Sequence, residues 1–374
     1  MSSSLPSYNQ QGESSSLLPS ANTPTTETDS LSPTQHIEQK GAMSETNTLL
    51  TGAAFGAALT ASGVFQPSVI ISQLNFTNFH MIQTFLTAAA GSAATVSIAQ
   101  ALQPNHPNLV PRAASSLGLF GPYDGNILGG ILLGSGMMLS GACPGTVLAQ
   151  LGVGVKSGVY AFAGASLAGV VWSGFLKSLL TQCPPPPPKA ASSSPSPKAT
   201  VYEALGVSKG TLLLGLEAMF VGIVIAAAKF TSVGPEAKIP PYYGGMLIAG
   251  AQLLSLIVRG CLVGMSTSYE EVGGWMLGGK LVPEKYRNML FSAGVIVGSY
   301  FLSHVAPRFG EVTDVVVSPL SAAVGGFLMI LGSRMAGGCT SGHGISGISL
   351  LSVSSFLTVG ATFAAGGLMG LLMG

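Results

Sequence analysis

From about residue 48 onward the chain consists of long apolar runs separated by short polar breaks. Runs of about 17 to 25 residues, enough to cross a bilayer as helices, fall near 48–64, 79–100, 125–141, 157–177, 209–229, 243–259, 288–305, 319–336 and 352–373. The pattern predicts an all-α polytopic membrane protein with about nine transmembrane helices. Two further apolar pieces are too short to span. One follows Cys143-Pro144-Gly145 and ends near Val155; the other runs from Ile345 to Leu351. Each lies between two full spans, so each reads as a re-entrant half-helix entered through a Gly/Pro/Ser stretch. Pro144 suits the first turn of such a helix, and Thr340 or Ser341 suits its N-cap.

The polar stretches divide the chain. Residues 1–46 are rich in Ser, Thr, Pro and Gln and lack an apolar run, which predicts a disordered tail. They lack the basic start and apolar core of a signal peptide, and their glutamates and scarce arginine argue against a transit peptide. Glu13 to Leu18 resembles an acidic dileucine sorting signal, a pattern that also arises by chance in Ser-rich tails. A second break, 182–208, holds Pro184 to Pro188 and a Ser/Pro/Lys stretch, an extended spacer. The expected layout is the tail, a first membrane repeat at 47–181, the linker at 182–208, a spacer helix and loop at 209–240, and a second repeat at 241–374. The tail and linker suggest a eukaryotic host, with the plasma and vacuolar membranes both open.

Composition confirms the bilayer and narrows the chemistry. Charged residues make up only 8% of 374 residues, and the mean hydropathy is +0.54, too apolar for a soluble domain of this size. A net charge of +1 without a basic run argues against nucleic-acid binding. The four cysteines have no Cys-x-x-Cys spacing, so neither a zinc site nor a disulfide scaffold is indicated. Cys183 sits in the linker and reads as incidental or lipid-modified. The 51 glycines, many inside apolar runs, imply closely packed helices. On one side of the predicted membrane fall Lys40, Arg112, Lys177, Lys189, Lys198, Lys209, Arg259, Lys280, Lys285, Arg287 and Arg334; the other side receives Lys156, Lys229, Lys238 and Arg308. The positive-inside rule then places the N-terminus in the cytoplasm and the C-terminus outside.

The chain repeats itself at an offset of about 196 residues. Gly129-Gly130 aligns with Gly325-Gly326, Gly136 with Gly332, Gly141-Ala142-Cys143 with Gly337-Gly338-Cys339, and Gly164 with Gly360. A one-residue shift pairs Gly63 with Gly260, and Val64 with Cys261. One span separates two four-span units, so the second unit enters the membrane in the opposite direction. Inverted repeats mark many transporters and channels, with substrate sites near the midplane at the repeat interface. Two half-helices related by inversion aim their N-termini, with free N–H groups and partial positive charge, at one central point. That is an anion site needing no Lys or Arg. Cysteine there adds a soft S–H donor. It can also ionise into a nucleophile, or serve only as a small buried residue beside glycine.

The segment Gly337 to Gly347, with Gly141-Ala142-Cys143-Pro144-Gly145 and Arg259-Gly260-Cys261-Leu262-Val263-Gly264, resembles the YeeE/YedE sulfur-transport family. The resemblance runs from Leu49 to the C-terminus apart from the Pro-rich linker. It implies thiosulfate uptake through an hourglass-shaped bundle of nine spans with inward-dipping loops, in which cysteines pass the ion along by S–H hydrogen bonds. Carried over by motif, the relay residues are Cys143, Cys261 and Cys339. The sequence departs from a symmetric pattern at Val64, where the matching loop has no thiol.

Other residues keep two readings each. Thr340 and Ser341 either bind the anion or cap the half-helix. His343 either donates to substrate, titrating near pH ~6.5, or fixes the loop between two glycines. Arg259 either supplies charge at a vestibule or snorkels from a helix end. Arg334 is an ion-site or a helix-pairing cation. Glu217, in the spacer span, is a candidate proton-coupling carboxylate, or reaches water or an Arg such as Arg334. Glu270-Glu271 and the Lys280–Arg287 cluster are expected in a solvated cytoplasmic loop. The leading function is import of thiosulfate or a related sulfur anion, without a cofactor or metal and without enzymatic activity, and with a cytoplasmic sulfurtransferase as a candidate partner. A membrane sulfurtransferase or thiol enzyme using Cys339, and a pore for another small anion such as hydrosulfide or formate, are the alternatives.

Overall fold

In chain order the helices are α1 (Pro33–Ala61), α2 (Pro67–Leu74), α3 (His80–Leu102), α4 (Asp124–Ser140), α5 (Thr146–Val153), α6 (Lys156–Val171), α7 (Lys177–Gln182), α8 (Val201–Leu205), α9 (Lys209–Phe230), α10 (Pro241–Arg259), α11 (Ser266–Gly278), α12 (Arg287–Val305), α13 (Pro319–Met335) and α14 (Val353–Met373). A π-helical stretch, Trp172–Leu176, joins α6 to α7, and a second π-helix, Thr340–Gly347, lies between α13 and α14. This computed structural model describes residues 33–104, 106–182, 198–231, 234, 238–278, 286–312 and 317–373, with side chains from Ser44. The dileucine-like segment, the tail up to residue 32 and Cys183 with its proline run lie outside the described residues. Helix α1 already begins at Pro33, within the stretch that composition assigned to the tail.

All nine apolar runs lie in helices: α1, α3, α4, α6, α9, α10, α12, α13 and α14. Among the described residues six helical stretches are long and apolar enough to cross a membrane, namely α3, Lys156–Leu180, α9, α10, α12 and α14; α13 with the π-helix, bent by 46°, makes a seventh if the pair is counted as one span. The protein is an all-α polytopic membrane protein. Its surface agrees. Leu214, Met219, Val221, Ile223 and Ile225 of α9 are exposed, whereas Thr51, Ser92, Asn126, Gln252 and Thr358 are buried. The exterior is apolar and the interior hydrogen-bonded, the distribution that lipid requires.

The repeat is built into the central crossing. A Cβ on Gly129 would stand 2.5 Å from the Gly332 carbonyl oxygen, and one on Gly136 would stand 2.5 Å from that of Gly325. Ascending α4 therefore descends α13, so these two repeat counterparts run antiparallel. Gly129 meets the counterpart of Gly136, and Gly136 meets the counterpart of Gly129. Such reciprocal contact is the signature of a two-fold axis, here lying across the helices, and it makes the two repeats inverted copies. The flanking contacts follow suit. Gly130 and Gly134 of α4 sit against Thr358 to Gly366 of α14, while Gly326 of α13 and Gly164 of α6 interlock with Ala161 and Ala323. Backbone contact this close is open only to glycine and explains why the aligned positions are glycines.

Candidate functional site

Of the left-handed glycines that follow helices, those after α1 (Gly63, φ +75), α4 (Gly141, φ +60), α10 (Gly260, φ +64) and α13 (Gly337, φ +79) open the four loops of interest. Each turns the chain back into the bundle and leads into a short helical piece, respectively α2, α5, α11 and the Thr340–Gly347 π-helix. Sequence reading found the pieces after Cys143 and Cys339; α2 and α11 complete the set.

The first turn of α5 is closed from Cys143. Val147 N–H donates to the Cys143 carbonyl (3.0 Å), Thr146 N–H to its Sγ (3.4 Å), and Cys143 N–H donates in return to Thr146 Oγ1 (2.7 Å). In the other loop Cys339 itself occupies the N-cap position expected of Thr340 or Ser341. His343 N–H donates to the Cys339 carbonyl at 2.7 Å. Cys339 Sγ lies 3.2 Å from Ser341 Oγ and accepts the Met265 N–H at 3.5 Å. Cys339 is buried; Cys143 and Cys261 are partly exposed.

A cavity of about 60 Å³, several times the space one water needs, joins the two loops. Cys143, Gly145 and Thr146 line it from the start of α5, and Thr340, Ser341 and Ile345 from the π-helix. Its remaining wall includes Phe55, Val64, Thr84 and Phe85, and no charged side chain lines it. Val64, the thiol-less counterpart of Cys261, faces this cavity; Cys261 does not. Tyr269 of α11 is buried between the two cysteine loops, and its hydroxyl donates to the Pro144 carbonyl (3.0 Å). Within each repeat the two loops are tied alike. Gln150 Nε2 donates to the Phe65 and Gly141 carbonyls (2.8 and 3.0 Å), and Ser346 Oγ donates to that of Val263 (2.7 Å).

Cys261 lies under the α3–α4 connection. Asn108 Nδ2 donates to the Gly260 carbonyl (2.8 Å) and reaches Cys261 Sγ (3.4 Å). The connection is anchored along its length. Ser352 and Ser354 hydroxyls donate to the Arg112 carbonyl (both 3.0 Å), Ser115 Oγ to the Met335 carbonyl (2.6 Å), and the Asp124 carboxylate accepts the N–H groups of Leu117 and Leu119 (2.5 and 2.7 Å). The Arg112 side chain extends over both cysteine loops of the second repeat: Nη1 reaches the Gly337 carbonyl (3.5 Å), and the guanidinium flanks Gly264, Gly338 and Gly342. Burial pulls the Arg112 pKa down from its ordinary value. Neither Arg112 nor Tyr269 was singled out as a site residue by sequence, because neither belongs to a Gly-Cys motif.

Of the other expected residues, His343 is buried with both ring nitrogens engaged, Nδ1 with the Ser355 hydroxyl (2.9 Å) and Nε2 with the Ala336 carbonyl (3.1 Å). A neutral ring satisfies both and is held within the loop. Arg259 lies over the Phe291 ring, 4.4 Å from its centroid. Arg334 pairs with Glu270, which also binds Lys177 (2.6 Å), so Arg334 is not the partner of Glu217. This corrects the expected solvated loop: Glu270 and Glu271 lie in α11, Glu270 is only 16% exposed, and Glu271 accepts the N–H groups of Asn288 and Met289 (3.0 and 2.9 Å) at the start of α12. Both acids were misread because two adjacent carboxylates near lysines look solvated until their distant partners are known. Glu217 sits half-buried on α9 away from the cavity lining, its Oε1 without a partner among the described residues.

Comparison with known proteins fits this geometry. The sulphur transport family profile matches residues 61–369, which takes in both repeats. The chain belongs to the sulphur transport family. A probable transporter of Xylella fastidiosa is 32% identical over 126 residues, covering 34% of this chain and 87% of that protein. The thiosulfate transporter TsuA of Spirochaeta thermophila is 27% identical over 252 residues, covering 62% of this chain and 72% of its own length.

Proposed function

We propose that this family member imports thiosulfate or a related small sulfur-containing anion through the interface of its two inverted repeats. One observation carries the reading: the first turns of two half-helices, one from each repeat, border a single cavity that contains a thiol and hydroxyls but no charged side chain. Helix N-termini and neutral donors hold an anion without trapping it as a full cation would. The ion passes Cys143 at the cavity, then the Cys339–Ser341 pair, then Cys261 under the α3–α4 connection. With the N-terminus cytoplasmic, the Cys261 end opens to the cytoplasm, where a sulfurtransferase is a fitting acceptor. The TsuA relative supports thiosulfate as the substrate. Cells lacking other sulfur uptake and supplied with this gene should grow on thiosulfate as sole sulfur source, and growth should fail with Cys339→Ala. No rescue by the unaltered gene would count against the reading.

A second reading, a membrane thiol enzyme, has one feature in its favour. Cys339 Sγ accepts the Met265 backbone N–H, an arrangement that also supports a thiolate nucleophile. Recovery of a persulfide on Cys339 after exposure to thiosulfate would favour it; an unmodified thiol under active uptake would dismiss it.

A further inference from the structure

We propose that Arg112 is the charge-selecting residue at the Cys261–Cys339 end of the path, binding the oxygen face of a small oxyanion beside the Cys339 thiol. The inference rests on the anion-transport reading and adds a site that the cysteine motifs do not contain.

The argument begins with position. Arg112 belongs to a connection between helices, yet its backbone is fixed by the Ser352 and Ser354 hydroxyls. From there the side chain reaches over the second repeat. A Cβ on Gly342 would stand 3.3 Å from Arg112 Nη2 and 3.8 Å from Cys339 Sγ. The guanidinium and the thiol therefore flank the same side-chain-free residue. The guanidinium also lies against Gly338 and Gly264, with Nη1 at 3.3 Å and Nη2 at 3.8 Å from where their Cβ atoms would be, the Gly338 position being shared with the His343 ring.

The charge is uncommitted. Among the described residues Arg112 forms no ion pair; its hydrogen bond is the 3.5 Å approach to the Gly337 carbonyl, and its buried Nε has no partner. The neighbouring cations differ. Arg334 is neutralised by Glu270, and Arg259 lies over the Phe291 ring. A guanidinium always carries its charge and presents a planar fork that matches two oxygens of a sulfonate-like group. A half-buried fork without an acid is favoured by an anion that completes it.

The two ends of the path then differ in character. The cavity at Cys143 binds through neutral donors, and the Arg112 end adds one full charge. An ion leaving the cavity moves towards that charge, and the lack of a side chain at Gly342 lets thiol and guanidinium approach the same residue.

The test uses the full-length protein, purified and reconstituted, with Arg112→Gln and Arg112→Lys. Two quantities are read: the KM for labelled thiosulfate uptake into liposomes, and the rise in thermal unfolding midpoint on adding thiosulfate or sulfate in detergent. We expect Arg112→Gln to raise KM at least tenfold and to lose the anion-induced rise, with Arg112→Lys intermediate and all midpoints without anion alike. If Arg112→Gln unfolds early, the comparison of Arg112→Lys with the unaltered protein decides. An unchanged KM and an unchanged anion-induced rise overturn the proposal while leaving transport standing. An anion-induced rise that depends on Arg112 in a protein without thiosulfate uptake keeps the site and removes the transport reading; neither uptake nor rise removes both.

Discussion

Glycine and cysteine do separate work in each loop. In the Cys143 and Cys339 loops the glycine supplies a positive φ where the helix ends, and the cysteine two residues later closes or caps the turn that follows. At Gly141 both constraints apply, since φ is +60 and a Cβ would meet the Pro67 Cβ at 2.8 Å. Gly141→Ala should therefore lower stability by at least the ~1–2 kcal/mol of a left-handed alanine, seen as an earlier thermal transition in detergent. Cys143 and Cys339 were legible in the sequence because register paired them, and Cys261 because a glycine precedes it. Arg112 and Tyr269 were not, since their roles depend on which loops they reach across the fold. The Val64 position gives a direct check on thiol chemistry. Val64→Cys places a thiol at the cavity wall, and labelling with a small thiol reagent should be blocked by thiosulfate if the ion occupies that space.

Among elements, the half-helices after Cys143 and Cys339 could be foreseen from runs too short to span. Their inner form could not. One is an α-helix and the other a π-helix of eight residues, Thr340–Gly347, whose wider turn accommodates two internal glycines, Gly342 and Gly344. A Cβ on Gly344 would collide with the Phe85 ring, so Gly344→Ala should displace Phe85 from the cavity wall and reduce uptake several-fold with little loss of helix content by circular dichroism. The α2 and α11 pieces escaped prediction because they carry Ser, Gln or Glu among their apolar positions. The α4–α13 crossing is the element pair on which the bundle depends. Gly332→Val puts a branched side chain where Gly129 and Leu133 approach, and the expected result is loss of the folded, monodisperse protein in gel filtration.

For the whole molecule, the inverted relation of the repeats follows from the antiparallel packing of α4 on α13, two helices that the sequence repeat makes counterparts. Symmetry explains why two loops converge on one cavity; departure from symmetry would give the proposed path its direction, with Val64 and Cys143 at the cavity and Cys261 with Arg112 under the α3–α4 connection. If the positive-inside rule holds, the cation-rich end faces the cytoplasm, and a protease-accessible tag at the N-terminus should be cut only from the cytoplasmic side. The central claim is that thiols, not merely small residues, carry a sulfur anion between the repeats. Labelled thiosulfate uptake into proteoliposomes tests it most directly, with Cys143, Cys261 and Cys339 each changed to Ser. Serine preserves a donor of similar size, so the account predicts at least tenfold slower uptake for Cys143→Ser and Cys339→Ser in protein that remains folded; uptake at the unaltered rate in both would contradict it.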